Sequence, residues 1–152
     1  MCTHRRARGL PEGEFIVFCV QYGQRSTSLF FRTDWNEWRR NVVQRAIDKM
    51  VREISSILSD VKPSIYLYGS SVLDDFKLGW SDIDILALTD SQMSEGQAQS
   101  LVGLRQAMLA DEPGNLYYRS FEGGMLTLDA FLSGASDRVV YWGTSGERVT
   151  DR

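Results

Sequence analysis

Two aspartates two residues apart, Asp82 and Asp84, border and interrupt the apolar run Ile83-Asp84-Ile85-Leu86-Ala87-Leu88. Side chains alternate faces along a β-strand, so both carboxylates share one face while Ile83 and Ile85 point into a core. Like charges so close repel, and burial would hold one acid protonated unless a cation were present. Hard oxygen ligands on a rigid element suit Mg²⁺, which takes one or two carboxylates and completes its shell with water and substrate phosphate.

Upstream, Gly69-Ser70-Ser71 follows a second apolar run, Ser64-Ile65-Tyr66-Leu67-Tyr68. Glycine lets backbone approach a ligand closely. The serine hydroxyls and the N–H groups of a helical turn expected over 72–76 make an anion site. A phosphate site beside a magnesium site equips a protein for phosphoryl or nucleotidyl transfer, where catalysis is positioning plus charge neutralisation. A Gly-Ser pair alone is mostly a turn, and Asp-x-Asp alone is mostly solvated surface or a helix cap. Their order and spacing together carry the signal.

These residues need elements to hold them. A capping-box-like start at Asp34 and Glu37 opens a helix over 34–58, with Trp35, Trp38, Val42, Ala46, Met50, Ile54 and Ile57 at spacings of three and four. Pro63 ends it, and strands follow at 64–68 and 81–88. A second helix over 94–110 begins at a Ser94/Gln97 capping box and is weakened by Gly96 and Gly103. Pro113-Gly114-Asn115 reads as a turn, 116–122 as a strand, Gly123-Gly124 as a tight turn, 125–128 as a strand, and 139–142 as a last strand before a polar tail. Ahead of these, 14–20 and 28–31 suggest a hairpin. The expectation is one α/β (α+β) domain over 34–152, a mixed β-sheet with helices on one side, preceded by an arm and hairpin over 1–33.

With the motifs Leu67-Tyr68-Gly69-Ser70-Ser71 and Ser81-Asp82-Ile83-Asp84-Ile85-Leu86 in place, the chain resembles the DNA polymerase β-like nucleotidyltransferase superfamily. Within it, the chain is most similar to the catalytic domain of aminoglycoside (streptomycin/spectinomycin-type) adenylyltransferases. The resemblance spans about residues 36–150 and is strongest over 66–88. It implies the nucleotidyltransferase fold and Mg²⁺-dependent transfer of NMP, AMP from ATP, to a hydroxyl acceptor with release of pyrophosphate. It also implies that Gly69, Ser70 and Ser71 meet the nucleotide phosphates, and that Asp82 and Asp84 hold metal, two ions when nucleotide is bound. A third carboxylate is expected on a later strand, and Glu122 stands at the fitting distance. Asp129 is its competitor, disfavoured because it reads as a helix N-cap before Ala130-Phe131-Leu132.

The sequence departs from the family in two places. Asp74-Asp75 and Lys77 lie between the motif halves, where many members carry Gly or Arg. The drug-modifying members continue into a helical C-terminal domain, whereas this sequence stops at Arg152. It therefore reads as a nucleotide-binding half, a fragment, or a minimal member that completes its site with a partner. An antibiotic, a nucleic-acid end and a protein side chain all stay open as acceptor. The alternative is a non-catalytic or partner-dependent module, such as an antitoxin pairing with a helical toxin. The Trp35/Trp38 helix would then serve as interface, as it could for a homodimer. A sugar transferase with Asp-x-Asp has no need of Gly-Ser upstream.

Composition narrows the classes further. Seventeen Lys+Arg against 20 Asp+Glu give net charge −3, a poor start for a duplex-binding protein, which replaces counterions with basic charge. Cys2 and Cys19 are too few for a disulfide framework and suit a reducing, cytoplasmic setting. No apolar run approaches the ~20 residues of a membrane span. Arg5, Arg6 and Arg8 precede Gly-Leu-Pro-Glu-Gly-Glu, which is no secretory signal. His4, the one histidine, lies in the arm, leaving no Ser-His or Cys-His nucleophile. Trp142-Gly143-Thr144 is either a packing surface for a base or a strand-end turn.

Overall fold

The computed structural model describes residues 18–21, 37–71, 77 and 80–151. Among these residues, six strands form one sheet in chain order: β1 Phe18–Gln21, β2 Ser64–Tyr68, β3 Ile83–Thr89, β4 Phe121–Thr127, β5 Arg138–Gly143 and β6 Gly146–Asp151. Only β3 and β4 run parallel; every other neighbouring pair is antiparallel. A parallel pair needs a long crossover, and helix α2 (Glu95–Asp111) provides it. Helix α1 (Glu37–Ile57) precedes β2, and the short α3 (Leu128–Ser133) follows β4.

The α1 periodicity buries Val43, Ala46, Ile47, Met50, Val51 and Ile54, while α2 buries Ala98, Leu101, Leu104 and Met108. Both stripes pack on one sheet face, made by Ile65, Leu67, Ile83, Ile85, Ala87, Phe121, Met125, Val140 and Trp142. The mixed sheet with helices on one side is thus as expected. The opposite face carries the chemistry-bearing side chains.

Helix α2 starts at the Ser94 cap, whose Oγ accepts from the Gln97 N–H at 3.2 Å while Gln97 Oε1 accepts from the Ser94 N–H at 2.8 Å. Gln97 Nε2 also donates to the Ile57 carbonyl at 3.0 Å, tying this start to the end of α1. At the other end, Lys49 of α1 pairs with Asp111 at 2.7 Å and Glu112 at 2.6 Å.

Downstream of α2 the structure departs from expectation. Residues 116–122 are not one strand: Leu116–Arg119 is a 3₁₀ turn with Tyr118 buried, closed by the Ser120 N–H on the Tyr117 carbonyl at 2.9 Å. The tyrosines that read as β-formers pack beneath α2. Gly123-Gly124 is no turn, and 125–128 is no separate strand; both lie within β4, except for Leu128, which opens α3. A Cβ at Gly123 (φ +142°) would overlap the Ile85 carbonyl, so glycine serves close strand approach there. The polar tail is strand β6, paired along its length with β5. The N-cap of α3 is Thr127, whose Oγ1 accepts from the Ala130 N–H at 3.1 Å; Asp129 sits in the first turn. Strand β1 pairs with β2, whereas the expected hairpin partner 28–31, the Asp34 cap, Trp35, the Trp38 side chain and the turn over 72–76 lie outside the described residues.

Candidate active site

The sheet register assembles the site. Tyr68 of β2 is the partner of Asp84 on β3, and Asp84 is the partner of Glu122 on β4. Adjacent strands lie about 4.8 Å apart, so Tyr68, Asp84 and Glu122 form one row across the sheet face opposite α1 and α2. Asp82 immediately precedes β3, and the Ile83 between the two aspartates is fully buried in the core. The Ile83 N–H donates to the Ser120 carbonyl at 2.6 Å, which ties Asp-x-Asp to the segment carrying Glu122.

Gly69 begins a 3₁₀ turn over Gly69–Ser71 at the end of β2. Its φ is +70°, and a Cβ there would overlap Oδ2 of Asp84. The Gly-Ser turn and the Asp-x-Asp strand, separate in sequence, are therefore in contact. Lys77 lies in the next turn, where its carbonyl accepts from the Ser81 N–H at 2.8 Å and its N–H donates to Ser81 Oγ at 2.8 Å.

Burial raises the Asp84 carboxyl above its ordinary range, and the charge of Asp82 raises it further. Glu122 is likewise raised, by burial first and Asp82 next, with Arg105 opposing and Asp84 adding to the rise. Tyr68 is raised by burial and then by Asp84, Tyr141 and Glu122. The three acids and two tyrosines thus share one electrostatic neighbourhood. Among the described residues, no three His, Cys, Asp or Glu side chains form a ready ligand cage. The donor set nevertheless fits magnesium: its atoms are hard oxygens, two of the carboxyls are raised by burial and then by neighbouring negative charge, and this metal needs only one or two carboxylates.

Sequence reasoning missed several residues around this row. Tyr68 and Tyr141 are partly exposed aromatics flanking the carboxylates, with Arg148 lying over the Tyr141 ring at 4.4 Å. Trp80, 90% exposed, stands two residues before Asp82. Arg105 lies on the core side beneath Glu122; a cation within the apolar stripe of α2 was its only sequence signal. Trp142 is not a base platform: it is fully buried, and its Nε1 donates to the Leu101 carbonyl at 3.0 Å. Among the described residues, no helix is long and apolar enough to cross a membrane.

The family model of the nucleotidyltransferase domain matches residues 47–126, just over half of the chain. That interval runs from α1 into β4 and takes in Gly69, Asp82, Asp84 and Glu122. No curated protein and no solved structure matches the chain.

Proposed function

The chain belongs to the nucleotidyltransferase domain family, and we propose that it transfers AMP from ATP to a hydroxyl acceptor, releasing pyrophosphate, with Mg²⁺ held by Asp82, Asp84 and Glu122. The contact between the Gly69 turn and the Asp84 carboxylate carries this reading, because a phosphate chain laid on the turn would lie beside the metal ligands. When bound, magnesium supplies neutralisation of phosphate charge and acidifies the acceptor hydroxyl.

The chain's own groups do the rest. Gly69 lets the backbone approach the phosphates, and Ser70 and Ser71 donate hydrogen bonds to them. Glu122 orients the acceptor hydroxyl and takes its proton as the oxygen bonds to the α-phosphorus and the bond to pyrophosphate breaks. Tyr68, beside the carboxylates, would border the acceptor, whether an aminoglycoside-like small molecule or a protein hydroxyl. The reading takes 34–152 as the catalytic domain, works in the cytoplasm, and leaves the site open to completion by a second copy or a helical partner.

The test is calorimetric titration of ATP, with and without Mg²⁺, into the wild type and the Asp82→Asn/Asp84→Asn variant. Metal-dependent binding that the double substitution abolishes is the expected result. A well-folded wild type that binds no ATP would overturn the reading in favour of a non-catalytic module.

A further inference from the structure

Arg105 belongs to the buried stripe of α2, where it stands between Leu101 and Met108. Its Nε donates to Glu147 Oε1 at 2.6 Å, with both side chains nearly enclosed. Nη1 donates to the carbonyls of Phe121 at 2.5 Å and Arg119 at 3.5 Å, and Nη2 to the carbonyl of Gly143 at 3.2 Å. The guanidinium also lies near the Trp142 ring, 5.9 Å from its centroid.

These acceptors surround one residue. The Phe121 carbonyl carbon is bonded to the nitrogen of Glu122, and Gly143 follows Trp142, the register partner of Gly123. The carbonyl between the two held by Nη1, that of Ser120, accepts from Ile83 between Asp82 and Asp84. Three successive carbonyls leading to Glu122 are therefore held, two by the guanidinium and one by the Asp-x-Asp strand. Stability alone is a weak reason for such an arrangement, since a buried ion pair replaced by packed apolar residues is often neutral or better. A planar fork that grips several carbonyls defines their geometry as no apolar side chain could.

We infer that Arg105 is a positioning residue: by clamping the Phe121–Glu122 peptide to the end of β5, it sets where the Glu122 carboxylate stands relative to Asp82 and Asp84. This rests on the reading of Glu122 as the third metal-holding carboxylate. Groups that orient metal ligands are worth about 10–100-fold in metal affinity.

The test measures Mn²⁺ binding by electron paramagnetic resonance, in the presence of a non-hydrolysable ATP analogue. It compares wild type, Arg105→Lys, Glu122→Gln and the double variant, with folding checked by circular dichroism. Arg105→Lys keeps the charge and loses the fork. We expect it to weaken Mn²⁺ binding about 10-fold, and to add nothing in the Glu122→Gln background, because its effect passes through Glu122. A merely structural role would weaken both backgrounds equally, and that additivity would overturn the inference, as would an unchanged Arg105→Lys beside a weakened Glu122→Gln. Wild-type binding by Glu122→Gln would instead overturn the reading of Glu122, and the role of Arg105 with it. If Arg105→Lys does not fold, Glu147→Gln, which removes only the ion pair holding Nε, takes its place in the same cycle.

Discussion

Gly69 and Gly134 share a φ of +70°, yet only Gly69 has a neighbour where a side chain would grow. Replacing each by alanine therefore separates backbone strain from steric contact. Strain alone, an L-residue held in the left-handed region, costs about 1–2 kcal/mol at either position. For a domain of this size each kcal/mol lowers Tm by about 2–4 °C, so both variants should melt roughly 2–8 °C below wild type. The contact term belongs to Gly69→Ala only. Its Cβ would overlap Asp84 Oδ2, and the carboxylate, being the far end of a side chain, can rotate away. It then leaves its position against the Gly69 turn, and with Asp84 as a metal-holding residue, as proposed, Mg²⁺-ATP binding should weaken by at least about 10-fold, or about 1.4 kcal/mol. Calorimetric titration beside thermal melts reads both effects. Gly134→Ala should lose stability and keep wild-type nucleotide affinity. Unchanged affinity in Gly69→Ala, or an equal loss in Gly134→Ala, refutes the argument that the turn and Asp84 form one site.

Asp84→Asn should remove metal-dependent binding while making the metal-free protein melt higher at neutral pH. The Asp84 carboxyl is raised in the fold by burial and Asp82, so its stabilising contribution is present below the unfolded pKa and lost as pH rises through the folded one. The melting difference should therefore close on acidification, and a variant less stable than wild type at neutral pH refutes the sign. Gly123→Ala, whose Cβ meets the Ile85 backbone, should cost more than about 3 kcal/mol or fail to fold. Gly124→Ala, in open space, should be neutral or stabilising by about 0.5–1 kcal/mol, and equal urea midpoints for the two would refute the close approach of β3 and β4. Ser94→Ala should lose about 1 kcal/mol in urea unfolding through its cap, and no change refutes the capping role.

The parts legible in the sequence are those governed by local chemistry. The α1 stripe, the Ser94 cap and the alternation of Ile83 and Ile85 with the aspartates each depend on neighbours within a few residues, so periodicity and capping rules reach them. The Gly123-Gly124 pair reads as a turn because a glycine required by the strand beside it looks the same in sequence as one required by a turn. The Leu116-Tyr117-Tyr118-Arg119 segment reads as a strand for a related reason. Aromatic residues favour strands only where they fit a pleated surface, and here Tyr118 is buried in a 3₁₀ turn, its Oη donating to Glu112 at 3.1 Å. Strand β6 reads as a polar tail because of Glu147, Arg148 and Asp151, although its register partners on β5 are fixed along its whole length.

The site repeats this division on a smaller scale. Asp82, Asp84, Gly69 and Ser70 are candidates in the sequence because the chemistry they could do is implicit in residue type and order. The adjacency of Glu122 could not be derived that way, because it depends on β3 and β4 being parallel and in one register. Only then do the starts of two strands, separated by the whole of α2, lie side by side with Asp84 opposite Glu122. Parallel pairing alone would tolerate a slip, and a slip of one residue would turn Glu122 toward the core. The register is held by the Ile83 N–H on the Ser120 carbonyl, by the approach that Gly123 permits, and by Arg105 gripping the carbonyls around Glu122. Two of these three devices use backbone acceptors and the third a missing side chain, none of which a residue pattern spells out. A third carboxylate can thus be expected from family resemblance, but its place beside Asp84 is set by backbone contacts and by one buried guanidinium.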